Sequence, residues 1–251
     1  MDISAVIITL NEEANIQACL ESVAWAGQIV VVDAESTDRT REIALEYTPD
    51  VHTRKWEGYA GAKAYAISRA TSEWVLSLDA DERATPDLKR EIQSLPAEPG
   101  VEGYMVPIKP YFLGRWIRHC GWYPGYKLRL FRKAAAVMTP RKVHEGIRVE
   151  GPTGKLAGQL LHYAYPTVRS YFDKFSRYTD LAALELHERG KRAGVLDIAL
   201  RPVFSFLKMY FVKMGMLDGI QGLVLCVFSS FYVFVKYVKL RELGAPGGRP
   251  E

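Results

Sequence analysis

The first hundred residues predict an α/β fold, a mostly parallel sheet flanked by helices, and three observations carry that expectation. Ser4-Ala5-Val6-Ile7-Ile8-Thr9-Leu10 and Ile29-Val30-Val31-Val32 are short, β-branched and almost continuously apolar, as strands covered on both faces should be. Stretches of helical periodicity alternate with them. Polar residues gather where the strands should end, which is where parallel sheets bind ligands: Thr9 and Asn11, then Asp33, then Asp79 and Asp81.

Taken in order, the strand at residues 4–10 is followed by Asn11, an N-cap candidate for a helix in which Ile16, Cys19, Leu20 and Val23 recur at helical spacing. The strand at 29–32 leads through Asp33-Ala34-Glu35-Ser36-Thr37-Asp38 into a second helix, residues 39 to about 46. Val51-His52-Thr53 reads as a third strand and residues 61–70 as a third helix. Glu73-Trp74-Val75-Leu76-Ser77-Leu78 is a fourth, buried strand, closed by Asp79-Ala80-Asp81-Glu82. Two carboxylates one residue apart at the rim of a rigid sheet suit a divalent cation bridging a diphosphate. An acidic turn left to water has the same pattern. Glu82 has a competing explanation, because Asp-Glu before Thr85-Pro86 is also a good helix start.

Composition narrows the class. With 251 residues the chain can bury one substantial core plus a smaller appendage, and 48% hydrophobic residues exclude a disordered protein. A formal charge of +4 gives no general argument for nucleic acid. Cys19, Cys120 and Cys226 show no Cys-x-x-Cys spacing and leave one over after any pairing, which fits a reduced, cytoplasmic setting. Met1-Asp2 runs straight into a strand without a basic region or cleavage site, so no cleaved leader is expected. The glycine- and proline-rich tail at 244–250 is expected to be flexible.

Four ordered segments then carry a resemblance: Val6-Ile7-Ile8-Thr9-Leu10-Asn11-Glu12, Val32-Asp33-Ala34-Glu35-Ser36-Thr37-Asp38 with Thr40, Lys63 followed by residues 74–82, and Arg129-Leu130-Phe131-Arg132. Together they resemble the family 2 glycosyltransferases, and nearest among them the bacterial lipopolysaccharide-core β-glucosyltransferases. Val143-His144-Glu145, Leu161-His162-Tyr163 and the apolar C-terminal region extend the resemblance over nearly the whole chain. One departure is that the subgroup often has Asn after the lysine, whereas Ala64 follows Lys63.

The resemblance implies a GT-A type, Rossmann-like catalytic domain over 1–165, with a nucleotide-sugar part at about 1–100 and an acceptor part at about 101–165. A helical, membrane-associated region would follow over 166–251. It implies that Thr9, Asn11, Glu12 and Asp33 form much of the nucleotide pocket, Asp33 accepting from a uracil N–H, with Lys63 and Asp79 near the nucleotide, ribose or sugar. Asp81, with Asp79 beside it, would hold Mg2+ or Mn2+ on the diphosphate. Glu145 stands where the family places its catalytic carboxylate, the base beside the acceptor hydroxyl in an inverting transfer. His144 either takes that proton itself or orients Glu145, and a hydrogen-bonded core histidine is the plain alternative. His162 is a candidate for the metal shell, better suited to Mn2+ than to Mg2+.

From residue 109 to 142 aromatic and basic residues interleave. Nucleic-acid stacking is one reading of such a mixture, but no nucleic-acid module accompanies it. A lipid-linked, phosphorylated saccharide acceptor would use aromatic faces against sugar rings and arginines against phosphate, and Trp122, Arg115 and Arg132 are the candidates. Arg129 and Arg132 would clamp a diphosphate or acceptor phosphate, or simply make a solvated basic strand.

Thr167, after Tyr165-Pro166, can cap a helix whose stripe is Phe172, Phe175, Ala182 and Leu186. Residues 196–214 are rich in large apolar side chains with Arg201, Lys208 and Lys213 among them. A last apolar run at 222–235, flanked by Lys236, Lys239 and Arg241, is shorter than the roughly 20 residues of a membrane span. It points to interfacial helices on anionic headgroups or, alternatively, to a packed helix pair.

The combined expectation is a metal-dependent, inverting hexosyltransferase taking glucose from UDP-glucose to a lipid-linked saccharide such as the lipopolysaccharide inner core. It would act peripherally or monotopically at the inner face of the cytoplasmic membrane. Transfer to a polyprenyl phosphate is the near alternative; a phosphatase and a non-catalytic glycolipid-binding protein are those of other classes. Donor sugar, linkage and oligomeric state leave no readable motif.

Overall fold

The computed structural model describes residues 1–56, 58–96, 98–138 and 147–245. His144, Glu145 and the tail from residue 246 onward lie outside the described residues. The chain forms two compact units: Met1–Lys109 with Gly125–His162, and Pro110–Pro124 with Tyr163–Glu251.

The first unit begins with the expected alternation: β1 (Ile3–Thr9), α1 (Ile16–Val23), β2 (Gln28–Asp33), α2 (Thr40–Tyr47), β3 (Val51–Thr53), α3 (Tyr59–Arg69) and β4 (Trp74–Asp79). β1 pairs parallel with both β2 and β4, and β2 with β3. Successive side chains of a strand face opposite ways, and here both faces are covered. Ala5 and Ile7 join Ile16, Leu20, Leu78 and Ile92 in one core cluster, while Val6 and Ile8 join Val32, Ala66, Ile67 and Phe131 in another. That is why the strands read as continuous apolar runs instead of alternating ones.

Asn11 does not cap α1. It adopts a left-handed φ of 53°, and its side-chain oxygen accepts from the Thr37 N–H at 2.8 Å, so the chain makes a tight turn, Glu12 to Asn15, before the helix begins. After β4 come β5 (Glu82–Ala84) and α4 (Pro86–Ser94). Thr85 caps α4, its hydroxyl accepting from the Leu88 N–H at 3.2 Å with Pro86 in the first turn. Glu82 is therefore a strand residue and no part of that helix start.

β6 (Gly103–Phe112), β7 (Arg115–Trp116), β8 (Gly125–Arg132), β9 (Ala136–Met138), β10 (Ile147–Val149), β11 (Thr153–Lys155) and β12 (Leu160–Tyr165) complete the strands. The sheet order is β3-β2-β1-β4-β8-β6-β12-β5, with β8 antiparallel to both β4 and β6. The sheet is thus mixed, parallel where the nucleotide part was expected and antiparallel beyond it.

One irregularity positions the site. On β8, Leu130 faces Tyr104 and Leu128 faces Met105, which leaves Arg129 as the unopposed residue of a β-bulge. A bulge re-aims a side chain without breaking the strand. Arg129, buried at 4% exposure, uses Nη2 to reach Asp79 Oδ2 at 2.8 Å and Glu82 Oε1. Glu82 is fully buried, and its other oxygen accepts from the Asp79 N–H at 3.1 Å.

The second unit contains the 110–124 excursion and three helices: α5 (Val168–Glu188), α6 (Val195–Leu207) and α7 (Gly219–Leu243). Thr167 and Ser170 form a capping box at the start of α5. Its core joins Phe112, Ile117 and Cys120 of the excursion to Tyr171 of α5 and Leu225 and Cys226 of α7. All three cysteines of the chain are free and buried. A π-helical turn (Lys208–Val212) and a 3-10 turn (Gly215–Asp218) connect α6 to α7. At 25 residues α7 outruns the apolar segment at 222–235, because it continues through Lys236, Lys239 and Arg241. By length and composition it could cross a membrane.

Arg129→Met should cost about 3–5 kcal/mol, because it strands the carboxylate of Glu82 in the core, and urea denaturation would measure it. A loss under 1 kcal/mol would mean that Arg129 is not what offsets the buried charge of Glu82. Gly222→Ala sets two effects against each other. Helix propensity favours alanine by about 1 kcal/mol, but its Cβ would collide with the Gly215 carbonyl oxygen. We expect net destabilisation of about 1–3 kcal/mol, read as a lowered melting temperature.

Candidate active site

The carboxyl ends of β1, β2 and β4 gather most of the residues singled out from the sequence. β1 and β2 run in register to Thr9 opposite Asp33, and β1 and β4 to Ile8 opposite Asp79. The segments after β1 and β2 are laced together: the Asn11 N–H donates to Ser36 Oγ at 2.8 Å and the Glu12 N–H to Thr40 Oγ1 at 2.8 Å. The Glu12 side chain accepts from Asn15. Asn11 and Glu12 thus tie the segment after β1 to the segment after β2.

Asp33 is 1% exposed, and one oxygen, Oδ2, accepts from the Ser36 N–H at 3.0 Å. Its Oδ1, like the buried Thr9 hydroxyl, has no hydrogen-bond partner among the described residues. A buried carboxylate oxygen without a donor is costly unless a ligand supplies one. The Arg54 N–H donates to the Asp33 carbonyl at 2.9 Å and brings the end of β3 to the same place.

Asp79 is held between two cations. Lys63 Nζ, from α3, lies 2.8 Å from Oδ1, and Arg129 lies 2.8 Å from Oδ2. Burial pushes the Asp79 pKa up, but Lys63 and Arg129 outweigh it and hold the group well below the usual carboxylate range. Burial likewise works against the Arg129 charge, and Glu82 and Asp79 overcome it. Both oxygens of Asp79 thus face cations, and the second carboxylate of the motif meets an imidazole. Asp81, 8% exposed, has its Oδ1 3.4 Å from His162 Nε2. β12 puts His162 there by pairing antiparallel with β5, His162 opposite Glu82. Burial lowers the His162 pKa, while the hydrogen bond and charge of Asp81 raise it further, for a net rise.

Among the described residues no group of three or more His, Cys, Asp or Glu converges as a metal cage. One carboxylate and one imidazole side by side are a fitting donor set for an ion that takes its remaining ligands from a diphosphate. Lys127, two residues before Arg129, adds a cation that forms no ion pair among the described residues. It is exposed overall, yet desolvation of its ammonium and the charge of Arg129 lower its pKa.

Of the acceptor candidates, Arg132 shares the first unit with this cluster but is not brought to it. Arg132 pairs with Glu73 and, at 3.7 Å, with Glu102, its guanidinium over the Trp74 ring at 5.1 Å. Because Arg132 faces Trp74 across an antiparallel pair, it sits at the opposite end of β4 from Asp79, about 17 Å along the strand. In the second unit Trp122 packs edge-on against Phe112 at 6.3 Å, and Arg115 is exposed. Glu145 and His144 lie outside the described residues, but the strands on either side, β9 and β10, pair through Met138 and Ile147. Those two residues pack against the cluster that contains Ile8 and Val32, the positions just before Thr9 and Asp33.

Residues 4–149 match the family described as Glycosyl transferase family 2. The lipopolysaccharide core biosynthesis glycosyltransferase LpsC of Rhizobium meliloti (strain 1021) is 31% identical over 258 residues, covering 100% of this chain and 96% of that protein. The mannosyltransferase PcManGT from Pyrobaculum calidifontis, solved with GDP-Man and Mn2+, aligns with a TM-score of 0.52 at 16% identity, over 95% of this chain and 86% of that one. S. aureus TarS 1-349 in complex with UDP-GlcNAc gives 0.51 at 15% identity, over 97% and 91%. At these identities the two structures show a shared GT-A fold. The family match over more than half the chain, with LpsC aligned end to end, settles membership: the protein belongs to glycosyl transferase family 2.

Proposed function

We propose that the chain is a metal-dependent, inverting hexosyltransferase that moves a sugar from a UDP-sugar, by its motifs UDP-glucose, onto a lipid-linked saccharide such as the lipopolysaccharide inner core. It acts at the inner face of the cytoplasmic membrane. The observation that carries this reading is the Asp81–His162 pair, 3.4 Å apart, beside an Asp79 whose charge is already taken up by Lys63 and Arg129. The end-to-end likeness to LpsC supports the choice of acceptor. The UDP-GlcNAc bound by TarS agrees with a UDP-sugar donor, and the Mn2+ in PcManGT with a divalent metal.

Each residue has a task in this scheme. Asp33 Oδ1 accepts the uracil N–H, and the Thr9 hydroxyl lies beside it. Lys63 and Lys127 present positive charge to the diphosphate, while Arg129 and Glu82 keep Asp79 in place. Asp81 and His162 would hold Mg2+ or Mn2+, which when bound supplies charge to the departing phosphate oxygen. Glu145 removes the proton of the acceptor hydroxyl as its oxygen attacks the anomeric carbon, on the face opposite the diphosphate, which leaves as UDP. Support for Glu145 comes from the Val143-His144-Glu145 motif and from the anchoring of its flanking strands. His144 orients Glu145.

A thermal-shift panel of nucleotide-sugars with and without Mn2+ tests the donor, since a ligand at 100 times its Kd stabilises by about 2.7 kcal/mol. Sugar-dependent UDP release without phosphomonoester hydrolysis tests the reaction class. In calorimetric titrations of UDP with Mn2+, Asp81→Ala should lose metal-dependent binding, whereas Asp33→Ala should bind UDP more weakly with its metal dependence intact. Unchanged affinity in Asp81→Ala would sink the metal assignment. Glu145→Gln should keep donor affinity and lose about 10²–10⁴-fold in turnover, and His144→Ala should lose less. Near wild-type turnover in Glu145→Gln would remove Glu145 from the mechanism.

A further inference from the structure

The second unit displays far more apolar surface than its core requires. Along α6 and into the π turn, Leu196, Leu200, Val203, Leu207 and Phe211 recur every three or four residues. Each is 45–72% exposed. Asp197 and Arg201 of α6, paired at 2.6 Å, form a separate ridge that Lys208 of the π turn continues. The opposite face, through Pro202, packs toward α7, where Ser230 Oγ donates to the Pro202 carbonyl at 2.8 Å. One helix therefore has an inner apolar face, a polar ridge and an outer apolar face. A water-exposed helix has no use for the third.

The turn beyond α6 continues the pattern: Val212, Met216, Leu217 and Ile220 are 42–72% exposed. Here the excursion at 115–121 comes alongside. The Cys120 N–H donates to the Lys213 carbonyl at 2.9 Å, the Lys213 stem lies against Gly121, and the Arg115 guanidinium lies against Gly219. This end of the unit carries Arg115, Arg118, Lys208 and Lys213, all exposed, and none forms an ion pair among the described residues. Its acid is Asp218, which is 2% exposed and consumed internally, accepting from the N–H groups of Arg118 and His119 and facing His119 Nδ1 at 3.0 Å. Exposed apolar side chains among unopposed cations complement a surface that is apolar within and anionic at its rim.

α7 is not the element that meets that surface end-on. It packs against α5 through the Phe175–Phe231 stack, the Tyr232 hydroxyl on the Tyr178 carbonyl, and Lys239 on Thr179. α5 also carries exposed Arg169, Asp173 and Arg177, and exposed Asp180 pairs with Lys239 of α7. Charges on a neighbouring helix are costly in hydrocarbon, so threading α7 through a bilayer would force that helix to separate or follow.

We infer that the outer face of α6 and the turn at 208–220, rimmed by Arg115, Arg118, Lys208 and Lys213, is a docking surface for an anionic phospholipid bilayer. Its apolar residues sit among the acyl chains and its cations on the headgroup phosphates. The inference rests on the membrane-bound reading given above and assigns the contact to particular residues.

Sedimentation of the full chain with phosphatidylglycerol-containing vesicles tests it. Wild type should pellet at low salt, and Leu200→Asp/Leu207→Asp should partition at least tenfold more weakly with an unchanged melting temperature, since both side chains are already exposed. Lys208→Gln/Lys213→Gln should weaken binding to anionic vesicles and flatten its salt dependence. Wild type staying in the supernatant at low salt overturns the membrane-bound reading and this inference together. Wild-type binding by the Leu200→Asp/Leu207→Asp variant overturns this inference alone. So does a lipid-free wild-type dimer that the same variant converts to monomer, because the face would then join two copies.

Discussion

The site depends on one guanidinium. Arg129 draws Asp79 and Glu82 toward a single nitrogen, and without it two carboxylates within four residues of chain would repel each other in a buried setting. The Coulomb attraction of such groups is large at low dielectric, but so is the cost of taking them out of water, and the balance is favourable only when every partner is present. Lys63 from α3 completes the neutralisation. The consequence is a difference between neighbouring acids: both oxygens of Asp79 face cations, whereas Asp81 lies beside the His162 imidazole.

The bulge that aims Arg129 also preserves the packing on either side of it. Leu130 lies in the cluster behind β1 and Phe131 in the one in front, and Leu128 packs with the second cluster despite standing two residues from Leu130. An unbroken strand would place Leu128 and Leu130 on the same face. The extra residue resets the alternation, so a charged side chain can leave the sheet plane without exposing the leucines around it.

Much of this was legible in the sequence, and the exceptions have physical reasons. The parallel half of the sheet follows from continuous β-branched runs, and Thr9, Asp33, Asp79 and Asp81 follow from polar residues at strand ends. For Glu82 the sequence offers a helix start before Thr85-Pro86 as a competing explanation, because that signal is local, whereas its partner Arg129 is 47 residues away and is aimed by a bulge that leaves no mark in composition. Asn11 looked like a cap because caps are local; its real partner, Thr37, belongs to the next βα unit. Lys127 was one of many basic residues until the fold set it near Asp79 and Glu82. The apolar run at 222–235 marks only part of α7, which continues beyond it because Lys239 reaches Thr179 and Asp180 of α5.

The excursion at 110–124 has a bearing on how this protein can be taken apart. Its Phe112, Ile117 and Cys120 are covered by Tyr171, Leu225 and Cys226, which come from helices more than fifty residues further along the chain. A stop placed after β12 would look like a clean removal of an appendage in the linear sequence. In three dimensions it would uncover an apolar loop that remains in the truncated product, and aggregation of that product would say nothing about membranes. Isolating the catalytic half calls for two edits, a shortened link from residue 109 to 125 as well as the C-terminal cut.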